Sequence, residues 1–439
     1  MNRLRNHSSG PLVITTLIAV AVSFLSGCEV PIASFSSNLV FAKRLEIDSG
    51  MKMEPAVNET QSILAEMFGT PDQPTWPKLL SEDQELAGLV SQQRLTRAAG
   101  AVRSDQQDNH FGLFREHCVH CHSVVGNGVG PTSSFLNPYP RDFRMGIFKF
   151  KTTPKGKKPT REDVMRLLTE GIMGTSMPSF RLLKQDDLEA LTDYAIYLAI
   201  RGEVERRLMM EAASELDLDK GERLLDPALK ESAPDDYQDQ LRLIEETVTK
   251  VAQSWTGAAS SVTKVEAPPA DYPLFGRDTA GSKEAQDRLG ASIANGRSIF
   301  HGKIANCASC HGNTAMGDGQ TNDYDDWTKD WTILAKVDPR DKEHIQPFLD
   351  VGALKPRNIL PRNLRSGIYR GGSQPVDLYH RIVQGIDGTP MPAVGLKPDN
   401  PQGLSTEEVW DLVNYLLSLP YEHITQQSSQ VPPYQRENP

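Results

Sequence analysis

A five-residue pattern occurs twice in this chain, as Cys118-Val119-His120-Cys121-His122 and as Cys307-Ala308-Ser309-Cys310-His311. Two cysteines separated by two residues and followed at once by a histidine form the attachment pattern of c-type haem. Each cysteine can form a thioether to one porphyrin vinyl group, and the histidine is then held against the iron on the proximal face. A redox dithiol or half of a zinc site would lack the adjoining histidine or need a second cysteine pair close by. The chain has 5 cysteines, of which the two boxes use four and leave Cys28. Two covalently bound haem c groups and no disulfide are expected.

Residues 1–27 read as an export signal. Arg3 and Arg5 supply the basic start, and Pro11 to Leu25 is an apolar run too short for a comfortable membrane span. The run ends in Leu25-Ser26-Gly27-Cys28, which resembles a bacterial lipoprotein box, cut before a cysteine that then carries lipid. An ordinary signal peptide with Cys28 near its cut, or an uncleaved anchor helix, are the alternatives. Several acyl chains on one residue anchor a protein stably. Export agrees with the haem boxes, because c-type haem is attached outside the cytoplasm and a chain without spare thiols avoids mispairing. The expectation is a lipid-anchored protein on the periplasmic side of a bacterial membrane.

A composition of 38% hydrophobic and 24% charged residues is that of a soluble globular chain, and 439 residues predict about three domains. Without residues 1–27 the balance is 45 basic against 57 acidic residues, or −12. That charge argues against nucleic acid and allows docking on a basic partner face.

Residues 28–104 read weakly. Residues 29–60 are mixed and polar, as a tether would be, and Ser81 to Ala99 reads as a helix with a capping box at Ser81 and Gln84. Near Asn109 a helix is expected to begin, carrying Phe111 and Phe114 into Cys118, and Ser292 to His301 carries Ile293, Ile299 and Phe300 towards Cys307. Here the chain resembles the class I cytochrome c family, whose N-terminal helix carries a small residue and an aromatic ahead of the haem box. Gly296 and Phe300 fit that pattern well, and Gly112 and Phe114 less neatly.

Two further blocks recur in the same order. Pro140-Arg-Asp-Phe-Arg-Met-Gly-Ile-Phe148 matches Pro361-Arg-Asn-Leu-Arg-Ser-Gly-Ile-Tyr369, and Gly171-Ile-Met-Gly-Thr-Ser-Met177-Pro178 matches Gly385-Ile-Asp-Gly-Thr-Pro-Met391-Pro392. A whole domain is therefore duplicated. Met177 and Met391, each in a glycine-rich loop after a short helix, are the expected distal ligands, which with His122 and His311 would complete two His/Met iron sites. Competitors are Met173 and, for the second site, His380. Arg141 and Arg362 sit at matched positions where a guanidinium can pair with a haem propionate. The second copy carries an insertion between His311 and Pro361, with Trp327 and Trp331, which reads as a surface for a specific partner.

Each copy closes with an amphipathic helix, around Leu188 to Leu198 and Val409 to Leu416. In the class I family this helix crosses the N-terminal one with an aromatic at the contact, and Tyr194, Tyr197, Trp410 and Tyr415 are suitable. The expected fold is mainly α, with two tandem class I cytochrome c domains at 105–202 and 286–420. A partly helical spacer at 203–285 joins them, residues 28–104 tether them, and 421–439 form a tail. The resemblance implies a membrane-tethered dihaem cytochrome passing single electrons between redox proteins, alone or as a subunit of a larger complex. A dihaem peroxidase is the enzyme alternative, and it would need one iron with an open sixth position.

Overall fold

The computed structural model describes residues 33–422, so the export segment, Cys28 and the tail from 423 lie outside the described residues. The chain is mainly α, and the only ladder among the described residues pairs Arg103–Ser104 with His110–Phe111. No described helix is long and apolar enough to cross a membrane.

The first half is built around one helix, Gln185–Glu215. At 31 residues it extends about 46 Å. Its buried positions run round the whole circumference between Leu188 and Arg201, as expected of a helix covered on all sides. The covers come from before and after it in the sequence. Helices Leu39–Ser49, Glu54–Phe68 and Gln92–Ala98 pack on it from the N-terminal side, and Pro234–Thr256 from the spacer. One apolar core runs from Phe35 to Trp255.

The tether reading therefore fails from Leu39 onward. Phe41, Ala42 and Leu45 form a buried stripe, and Glu205 accepts the Asn38 backbone N–H at 2.7 Å. The helix read over Ser81 to Ala99 exists only as Lys78–Ser81 and Gln92–Ala98, with turns between them. The Ser81–Gln84 capping box does not form, since Ser81 already ends a helix and spends its hydroxyl on the Lys78 carbonyl.

The second domain is a cleaner copy of the expected pattern. Helix Lys283–His301 crosses helix Thr406–Ser418 at Gly296, where a Cβ would fall on the Asp411 carbonyl and lie 2.8 Å from the Tyr415 Cβ. Phe300 meets Tyr415 edge-on, with ring centroids 5.5 Å apart. Ser405 and Glu408 form the capping box read from the sequence. In the first domain the helix before the haem box is only Leu113–His117, preceded by strand rather than helix at His110–Phe111. Gly112 is no crossing glycine. It has φ 78° and lies 2.6 Å, by its missing Cβ, from the Ala101 carbonyl, which starts the helix late. The crossing contact is taken over by Gln92–Ala98, tied to the long helix by Arg97–Asp187 at 2.6 Å. Phe114 still meets Tyr194, at 4.9 Å.

Part of the insertion packs inside the chain, while Ile333 and Leu334 stay exposed. Its helices Asp326–Trp331 and Lys342–Asp350 close a small core of Trp331, Ala335, Ile345 and Phe348 against Val40 of the N-terminal region. Asp330 receives Arg206 at 2.9 Å and Arg44 at 3.4 Å. The linker also packs. Tyr272 bonds to Ser292 and Asp411, and the Phe275 N–H bonds to Asn414 at 2.8 Å.

Candidate haem sites and the surface between them

Both boxes fold as a single helical turn, Val119–His122 and Cys307–His311. None of their four cysteines is in a disulfide, and burial pushes the thiols of Cys118 and Cys307 up to about 12, so neither is a free thiolate. The proximal histidines are held alike. Nδ1 of His122 lies 3.0 Å from the Arg141 carbonyl, and Nδ1 of His311 lies 3.0 Å from the Arg362 carbonyl. A carbonyl can only accept, so the proton sits on Nδ1 and the Nε2 lone pair is free for a metal. Burial pulls His122 down to about 4 and lowers His311 as well, keeping both rings neutral, as ligands must be. His122 also stacks on Phe143, with centroids 4.7 Å apart.

The Pro-Arg block thus has a role that the sequence reading missed: its backbone orients the histidine. The two glycines that permit this, Gly128 and Gly317, have φ 74° and 79°. A Cβ there would sit 2.7 Å from the Pro140 carbonyl and 2.5 Å from the Pro361 carbonyl, respectively. Their matched places in Gly-x-Gly128 and Ala-x-Gly317 were the available signal.

The methionine loops are also built alike. Helix Arg161–Glu170 stops at Gly171 and helix Pro375–Gln384 at Gly385, close to the bounds read from the sequence. In each loop a threonine hydroxyl donates back to the isoleucine carbonyl, from Thr175 at 2.7 Å and from Thr389 at 2.8 Å. Each hydroxyl also accepts the methionine N–H, at 3.1 Å for Met177 and 3.2 Å for Met391. Met177 is half-buried on the core of its domain, whereas Met173 is 59% exposed. His380 sits beside Gln384, facing Asp163 and Arg166 of the first domain.

The matched arginines lie where the two domains meet. The Arg141 guanidinium is 3.4 Å from the centroid of the Trp327 ring, which the insertion lays between the domains. Arg362 lies beside Gly174 of the first domain's methionine loop. Directly after the matched aromatics come two further matched cations, Lys149 and Arg370, which the sequence reading did not single out. Burial, then the charges of Arg141 and Arg370, pull Lys149 down to about 7, and burial with the Arg362 charge brings Arg370 to about 10. Asp325 offsets part of this at 3.9 Å from Lys149. The Nε atoms of Arg362 and Arg370 are buried without a hydrogen-bond partner. Clustered buried cations with orphaned donors are what a group bearing carboxylates satisfies, so these residues fit the propionates of c-type haem. Replacing Arg370 with Gln is expected to lower a haem midpoint potential in a spectroelectrochemical titration, because a nearby cation favours the less positive ferrous state. An unchanged potential would remove Arg370 from the site.

The cytochrome c family model matches residues 111–195 and 293–420, one copy in each half of the chain. No curated protein matches the chain. Among solved structures it is similar to the Kuenenia stuttgartiensis reducing HAO-like protein complex, at 21% identity over 70% of this chain and 94% of that one. The TM-score is 0.41, a likeness too loose to bear on function.

Proposed function

From a chain that carries two cytochrome c domains, and with them c-type haem attachment and haem-based redox chemistry, we propose a dihaem electron carrier with His/Met ligation at both sites. The observation that carries this reading is the repetition of the whole ligand apparatus. Histidine held through Nδ1 by a block carbonyl and methionine held in a threonine-braced loop occur in both copies with nearly the same distances. Bound haem supplies the redox couple, and a thioether ligand favours its ferrous form. The chain's residues orient the imidazoles and place cations at the domain interface. A peroxidase needs a sixth position that opens, and two methionine loops with the same internal threonine brace favour a carrier. Redox proteins are the proposed donors and acceptors, and the −12 balance suits a basic docking face. Cys28 is proposed as the lipid attachment that keeps the protein at the periplasmic side of the membrane.

The test is the near-infrared spectrum of the oxidised holoprotein. The methionine–ferric charge-transfer band is expected to have two components, with Met177→Ala removing one and Met391→Ala the other. A single component in the wild type, or a variant without effect, would mean that one iron is open or bis-His.

A further inference from the structure

The two methionine loops differ in one respect that their sequences only hint at. The third residue of the loop is Met173 in the first copy and Asp387 in the second. Met173 is 59% exposed, whereas Asp387 is 8% exposed and faces the first domain. Lys151 of that domain reaches the Asp387 carboxylate at 2.8 Å, and both side chains are almost fully buried. The Gly156 N–H donates to the same carboxylate at 2.9 Å. Lys155 donates to the Thr389 carbonyl at 2.8 Å, and the Gln384 amide donates to the Thr152 carbonyl at 2.6 Å. From the other side, the Trp327 ring covers Gly388, and the Asp326 N–H reaches the Gly388 carbonyl at 3.3 Å. Among the described residues no hydrogen bond or ion pair from the second domain reaches the first loop, where the nearest neighbours across the interface at Gly174 are Ile368 and Arg362.

We propose that Lys151 and Asp387 are a positioning pair through which the first domain fixes the Met391 loop, so that the second iron keeps its methionine only while the domains are docked. The inference rests on the reading of Met391 as an axial ligand. A buried ion pair is costly to break by one partner alone, because the other charge is then left without compensation. Loop closure and domain docking are therefore linked, and the linkage runs both ways: displacing Met391 loosens the interface, and loosening the interface frees Met391. The first iron, with its unclamped loop, is independent of this pair.

The experiment uses the oxidised holoprotein and imidazole as a competing ligand, followed in the methionine charge-transfer band. In Lys151→Met and Asp387→Asn, imidazole is expected to displace the Met391 component about ten-fold more readily, as loss of a charge-assisted bond of ordinary strength predicts. The Met177 component should titrate as in wild type, and Lys151→Arg should restore wild-type behaviour at both sites. Should Lys151→Met not fold, Asp387→Asn carries the test, since it is nearly isosteric and still accepts from Gly156. Unchanged imidazole affinity in both variants, or a weakened Met177 component instead, overturns the proposal. A wild type with no Met391 component overturns the ligand reading itself and is seen before any variant is made.

Discussion

Gly296→Val is expected to cost the second domain about 3 kcal/mol or more and to halve the haem content per chain, while the first site keeps its spectrum. The reason is local and steric. At Gly296 the two helices of the crossing come so close that a single Cβ falls on the Asp411 backbone and crowds Tyr415. Relief would mean moving helix Lys283–His301, which carries Phe300 and leads to Cys307, away from the closing helix. The side chain of Asp411 is tied into the same crossing through Ser292 at 2.5 Å and Asn295 at 2.6 Å, so retreat also breaks buried hydrogen bonds. Haem staining of the purified variant, with a pyridine haemochrome count, checks the result. A full haem complement and unchanged thermal unfolding would show that the crossing tolerates a side chain.

Glu205→Leu should destabilise the first half of the molecule by about 3–5 kcal/mol. Arg201 and Glu205 are 3% and 2% exposed at the side chain and pair at 3.2 Å. Glu205 also accepts the Asn38 N–H, and Arg201 lies 4.0 Å over the Phe35 ring. Leucine leaves a guanidinium buried without its counter-charge and a helix-capping residue without its anchor. Arg201→Met combined with Glu205→Leu should recover part of the loss, because a matched apolar pair carries no orphaned charge. Urea unfolding of the single and double variants measures both. A loss below about 1 kcal/mol would mean that the N-terminal helices contribute little to the first domain.

Which features were legible in the sequence follows from how local they are. The haem boxes, the methionine loops, the capped helices before them and the capped closing helix of the second domain are short-range patterns, and the structure places each close to its expected bounds, whereas the first closing helix starts without a side-chain cap and runs on to Glu215. The domain interface is not such a pattern. Lys149 and Arg370 are matched in the two copies, but a lysine or arginine after an aromatic is ordinary until two domains bring the cations together. Trp327 read as an exposed partner contact because nothing local says that Arg141 will lie under it. The N-terminal region misled for a related reason: its buried stripe at Phe41, Ala42 and Leu45 is only one turn long, and its partner surface lies more than 150 residues away at Glu205.

The insertion that joins the second domain to the N-terminal helices has a topological consequence. Through Asp330 and the Trp331 cluster, the C-terminal half of the chain reaches back to the N-terminal helices. The backbone path from Val40 through the first domain, the linker and the second domain is thereby closed into a ring by side chains. A ring cut once opens but stays in one piece. The Pro- and Ala-rich stretch between the halves is then one of two bonds across them, and the spacing of the two haem boxes is set by contact surfaces as well as by the length of polypeptide strung between them.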